Sequence, residues 1–122
     1  VAHPNLSLVI DAMHLFRTGG TVADLAALSP AHIGHIQICD VPMPERETPD
    51  GVMPYHEEAR YERGAPGDFA LPLADMLRAL PDGRIIGLEV PELAKARAGV
   101  TPMARLGRCV DAARELLAEY SA

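Results

Sequence analysis

No apolar run in this chain approaches the roughly 18 residues that a membrane span requires, and no signal-peptide pattern opens it. Basic residues are short as well. Eleven Lys and Arg face seventeen Asp and Glu for a net charge of −6, and no basic cluster stands out, which excludes a phosphate-backbone partner such as DNA or RNA. Cysteine is scarce. Cys39 and Cys109 are separated by most of the chain and fit neither a disulfide framework nor a zinc motif, so a reducing cytoplasm is the expected compartment. An initiator methionine is missing too: Val1-Ala2-His3-Pro4-Asn5 leads almost directly into a strand pattern, so the chain reads as a piece.

What is present is a repeating order of short apolar strands and helical segments. The strands are Leu6 to Asp11, Ile33 to Asp40 and Arg84 to Glu89, and each ends in a polar residue able to bind a metal or move a proton. Thr21-Val22-Ala23-Asp24 reads as a capping-box variant opening a first helix, with Val22, Leu25 and Leu28 at helical spacing and Ser29-Pro30 as its stop. A second helix starts near Pro72 with Leu73, Met76, Leu77 and Leu80 on one face, until Pro81-Asp82-Gly83 breaks it. The third is expected from Pro102 to Tyr120, burying Leu106, Cys109, Val110, Ala113, Leu116 and Leu117.

Strand-helix alternation of this kind implies parallel strands joined by crossovers. Nearly half of the 122 residues are apolar, enough for one α/β domain spanning 1–122. Three such units are too few to close an eight-stranded barrel, which takes about 250 residues. In barrels the chemistry sits where the strands end, which is where Asp11, Gln37 and Glu89 fall. Between 41 and 67 the chain carries five prolines and many charges with no sustained period, and only a weak helical signal from His56 to Tyr61. That excursion is expected to be mobile and to close over a site as a lid.

The motifs at these positions are Asp11-Ala12-Met13-His14-Leu15-Phe16-Arg17-Thr18-Gly19-Gly20, His35-Ile36-Gln37-Ile38-Cys39-Asp40-Val41-Pro42, Arg63-Gly64-Ala65-Pro66-Gly67 and Gly87-Leu88-Glu89-Val90-Pro91. In order and spacing the chain resembles the sixth, seventh and eighth strands of the sugar-phosphate isomerase/epimerase superfamily, the xylose-isomerase-like TIM barrels, over essentially its whole length. The resemblance implies the C-terminal portion of a (β/α)8 barrel. It also implies a divalent metal held by one side chain from each of four strands, with proton transfer through an enediolate. Asp11 matches the family's aspartate ligand, and Glu89 the glutamate that is both ligand and acid/base. Gln37 stands where many members carry histidine and resembles the branch that contains hydroxypyruvate isomerase. The remaining glutamate ligand, on the strand before Leu6, is absent from this chain.

The residue chemistry agrees with those roles. Oxygen donors from Asp11, Gln37 and Glu89 favour hard cations, Mg²⁺ or Mn²⁺. A metal on two adjacent substrate oxygens would stabilise enediolate charge, and Glu89 would take the proton from the carbon between them. His14 and Arg63 are placed to orient substrate oxygens. Structural alternatives stand beside each assignment: a strand-end carboxylate commonly caps the following helix, and an amide such as Gln37 can satisfy buried backbone groups. His14 can be a core histidine, Arg63 can tie down the long loop, and Arg17 reads as a helix-approach or interface charge. Cys39 reads as inert packing.

Two functional classes follow. One is an isomerase or epimerase of a small carbohydrate or hydroxy-ketone; the superfamily's abasic-site endonuclease branch, with more histidine ligands and a basic face, fits poorly. The other is a non-catalytic half-barrel whose open sheet associates with a second copy or with the missing N-terminal half.

Overall fold

A computed structural model describes residues 3–43 and 45–120. Three short strands, β1 (Leu8–Asp11), β2 (Ile33–Ile38) and β5 (Ile85–Leu88), form one parallel sheet in the order β1-β2-β5. They are shorter than the apolar runs that announce them, by up to two residues at either end. After β1 come α1 (Ala12–Arg17) and α2 (Val22–Ala26), then a single 3₁₀ turn at Pro30–His32 leading into β2. Between β2 and β5 lie β3 (Glu47–Thr48), β4 (Gly51–Val52), α3 (Tyr55–Tyr61) and α4 (Leu73–Arg78); α5 (Leu93–Arg97) and α6 (Pro102–Tyr120) follow β5.

The register divides the sheet into two unlike faces. Ile10 pairs with Ile36 and Ile36 with Ile86, while Ile38 pairs with Leu88. These side chains join the helices in one core with Met13, Leu25, Leu73, Met76, Leu77 and Ala113. Because side chains alternate along a strand, the residues between them share the other face: Val9, His35 and Ile85 in one row, then Asp11, Gln37 and Gly87 in the next. That second face is open at the row of Val9 and Ile85, while Asp11 in the next row is buried. Val9 is 57% exposed and Ile85 73%.

Several helix expectations hold in detail. The capping box at Thr21 and Asp24 is complete, with the Thr21 hydroxyl accepting from the Asp24 amide and the Asp24 carboxylate accepting from the Thr21 amide at 2.8 Å. α6 has the expected span, but its buried stripe begins later than the apolar pattern suggests. Leu106 is 55% exposed, because the first turns of α6 are tied down by polar contacts instead: Arg105 donates to the Pro91 carbonyl and Arg108 pairs with Asp68. α1 has no strong sequence signal at all. It forms because Asp11, ending β1, caps it by accepting from the His14 amide at 3.0 Å.

The proline-rich excursion holds more order than its sequence indicates. β3 and β4 pair as a small antiparallel hairpin, and α3 covers the span where only a weak helical turn was expected. Arg17, expected to be a helix-approach or interface charge, is instead buried against Glu58 of α3. The base of the excursion is fixed by Asp40, whose buried carboxylate accepts from the amides of Val41, Gly67, Phe69 and Leu71. Burial pushes the Asp40 carboxyl up from its ordinary value, against the opposing pull of those four donors. Backbone bonds in both directions between Asp40 and Gly64 close the loop on itself.

Candidate functional site

Asp11 and Gln37 stand side by side in the register, and Gly87 is next to Gln37 on the far side. Glu89 lies two residues beyond Gly87, so by strand alternation it returns to the same face. All three expected residues therefore sit at the carboxyl end of adjacent parallel strands. Gly87 makes room for the His35 ring, since a Cβ there would lie 2.9 Å from its Nε2.

Arg63 joins the acidic groups. Its Nη1 donates to Oδ2 of Asp11 at 2.8 Å and lies 3.4 Å from Oε2 of Glu89. Nε donates to the Ala59 carbonyl, and Nη2 lies 3.2 Å from Nε2 of His14. Burial would lower the pKa of Arg63, but Asp11, through its charge and its hydrogen bond, together with Cys39 and Glu89 outweighs it and holds the guanidinium above its ordinary value. Because a guanidinium can only donate, Nε2 of His14 is the acceptor. Nδ1 of His14 then carries the proton in its hydrogen bond with the Tyr55 hydroxyl.

The roles of these side chains differ by exposure. Asp11 is 8% exposed and already serves as a helix cap and an ion-pair partner, so the capping alternative applies to it. Glu89 is 45% exposed and opens into a cleft of about 680 Å³ with His14, Arg60, Arg63 and Pro91 on its walls. Gln37 makes no side-chain hydrogen bond among the described residues and lines an adjoining hollow with Asp11 and His14. Arg63 both ties down the loop, through Ala59, and faces the cleft. Cys39 is fully buried, and burial together with the Asp11 carboxylate pushes its thiol up to about 11, in keeping with inert packing. Both cysteines are free.

Tyr55 and Glu58 went unread in the sequence. Tyr55 reaches His14 across 41 positions, and Glu58 accepts from Arg17 through both carboxylate oxygens, at 2.8 and 3.0 Å. The sole signal available for either was the faint helical pattern from His56 to Tyr61.

No protein-family model matches the chain, and no curated protein sequence does. Solved structures do match. One is the crystal structure of the IolI protein with a bound zinc atom, matched over 97% of this chain at a TM-score of 0.72 and 20% identity. Another is a fusion protein of a xylose isomerase-like TIM barrel and 4-hydroxyphenylpyruvate dioxygenase, matched over 73% of this chain at a TM-score of 0.60 and 22% identity. The fold is accordingly part of a xylose-isomerase-like TIM barrel. The chain spans 40% of the first of these structures and 14% of the second.

The donor set at the strand ends suits a hard cation, with two carboxylates and an uncommitted amide carbonyl on one face. Positive charge is already held between Asp11 and Glu89, by the guanidinium of Arg63. Among the described residues no group of three or more His, Cys, Asp or Glu is arranged to hold a metal ion. Asp11, Gln37 and Glu89 share one face of the sheet, with the Arg63 guanidinium between the two carboxylates.

Proposed function

We propose that the protein is a metal-dependent isomerase or epimerase of a small sugar, sugar phosphate or hydroxy-ketone, and that this chain supplies the part of the barrel mouth that moves the proton. The observation that carries the reading is Glu89: a half-exposed carboxylate at a strand end, opening into a cleft and aligned by a buried arginine. Zinc in the IolI structure supports a divalent metal here, with Mg²⁺ or Mn²⁺ preferred on the oxygen donors Asp11, Gln37 and Glu89. Such an ion would supply Lewis-acid stabilisation of negative charge on substrate oxygens.

The chain's own residues do the rest. Glu89 removes a proton from the carbon next to a substrate carbonyl, giving an enediolate, and in an isomerisation returns it to the neighbouring carbon; in an epimerisation a second acid from outside this chain would deliver a proton to the opposite face. Arg63 fixes the orientation of Glu89 through their ion pair and lies close enough to the cleft to pair with a developing oxyanion. His14, with both ring nitrogens taken by Arg63 and Tyr55, lines the cleft and holds Arg63 in position. Asp11 holds Arg63 and the start of α1 in place.

Substituting Glu89→Gln keeps the shape and an oxygen donor while removing the base. In the full-length protein it is expected to abolish solvent-proton exchange at the reacting carbon and to leave substrate binding largely intact. Exchange at the normal rate in this variant would rule out Glu89 as the proton carrier.

A second reading, association through the open sheet, is favoured by one specific observation. The face that carries Asp11 and Gln37 also leaves Val9 and Ile85 exposed, with both sheet edges unpaired among the described residues. Its partner would be a second copy of this chain or the remaining half of the barrel.

A further inference from the structure

The cleft beside Glu89 contains two arginines in opposite states. Arg63 is largely committed: Asp11, Glu89, His14 and the Ala59 carbonyl engage four of its five N–H donors. Arg60 lines the same cleft, is exposed, and has no hydrogen bond or ion pair among the described residues. Its guanidinium stands over the Tyr61 ring, whose centroid lies 6.0 Å from the guanidinium carbon. Arg97, also without a partner among the described residues, does not line this cleft.

In a chain of net charge −6 an uncommitted guanidinium at the mouth of a cleft is conspicuous, and its position is not left to chance. Glu58, two residues earlier on α3, is locked to Arg17 of α1, and Ala59 is held by Arg63. The backbone carrying Arg60 is therefore fixed at the cleft wall while its side chain stays free. A planar fork of N–H donors in that state matches a carboxylate or phosphate.

We infer that Arg60 binds an anionic terminal group, a carboxylate or a phosphate, on a substrate whose reacting carbon lies at Glu89. The inference rests on the proton-transfer reading of the site and narrows it from small carbohydrates in general to sugar acids or sugar phosphates. Arg60 discriminates among substrates, and Arg63 and His14 act nearer the reacting atoms.

The test uses three four-carbon probes on the purified full-length protein at constant ionic strength: D-erythrose, D-erythronate and D-erythrose 4-phosphate, with binding followed by calorimetry. At least one anionic probe is expected to bind about tenfold or more tightly than D-erythrose, and which one does so identifies the anion as carboxylate or phosphate. Arg60→Gln should erase that advantage and leave D-erythrose affinity unchanged, whereas Arg60→Lys should restore part of it. Arg60 is exposed, so both variants are expected to fold, which circular dichroism checks. Equal affinity for all three probes, absence of binding by any of them, or an anion preference that survives in Arg60→Gln overturns the inference. The Glu89→Gln variant separates the two readings. If it exchanges protons normally yet the Arg60-dependent preference persists, the chemistry assigned to Glu89 fails and the anion site stands.

Discussion

Around Arg63, four groups from separate segments meet within hydrogen-bond or ion-pair distance: Asp11 at the end of β1, His14 on α1, Ala59 on α3 and Glu89 after β5. Arg63 is 3% exposed and Asp11 8%, so removing the arginine leaves a buried carboxylate without its counter-charge. Breaking one partner of a buried ion pair costs about 3 to 5 kcal/mol. Arg63→Met is expected to fall near the lower end, about 3 kcal/mol, because Asp11 keeps its bond from the His14 amide. Denaturant unfolding measures this, and a loss below about 1 kcal/mol would mean that the pair is not what holds the site together. Asp11 and Glu89 were legible in the sequence because each closes an apolar run, whereas Gln37 stands inside its run and was picked out by the family resemblance, with strand alternation fixing its face. Asp11's service as a cap was legible as an alternative, and the structure shows cap and ion pair on the same side chain. Tyr55 was not legible: its value lies in a contact with His14 across 41 positions, and nothing in the local pattern encodes such a distance.

Among the elements, α2, α4 and α6 announced themselves through caps and periodic leucines, while α1 and α3 did not. Neither carries leucines at helical spacing between a start and a stop signal, and both helices depend on contacts made elsewhere in the chain. The dependence of α3 is concentrated in one pair. Arg17 and Glu58 are 5% and 2% exposed, and Arg17 also donates to the Pro42 carbonyl at 2.6 Å. Glu58→Leu would strand a buried guanidinium and release α3 from α1. Amide hydrogen exchange in 55–61 is expected to quicken markedly, while β1 and β2 keep their protection. Unchanged exchange in that helix would show that the bonds from Arg63 to Ala59 and from His14 to Tyr55 are sufficient to hold it. The same variant should blunt Arg60's anion preference, because the wall that presents Arg60 would no longer be fixed.

At the scale of the molecule, the two faces of the sheet have different fates. The isoleucine face is sealed by helices, whereas Val9 and Ile85 on the opposite face are 57% and 73% exposed, and Leu6 and Leu8 nearby are 55% and 44%. That asymmetry was partly legible: counting three strand-helix units against the eight of a closed barrel predicts a bare interior, but which residues line it requires the register. Exposed apolar area is worth roughly 25 cal/mol per Å² when covered, and the unpaired edges of β1 and β5 offer a template for further strands. The 122-residue chain by itself is therefore expected to associate rather than remain a monomer, and to lack isomerase activity on its own. Ile85→Lys should shift it towards monomer without loss of fold, since the residue contributes little to the core from that side. Sedimentation of both forms, with circular dichroism as a check on folding, measures the effect. A wild-type chain that sediments as a stable monomer and turns over a sugar unaided would overturn the association reading, because the bare face would then need no cover and the residues described above would suffice for catalysis.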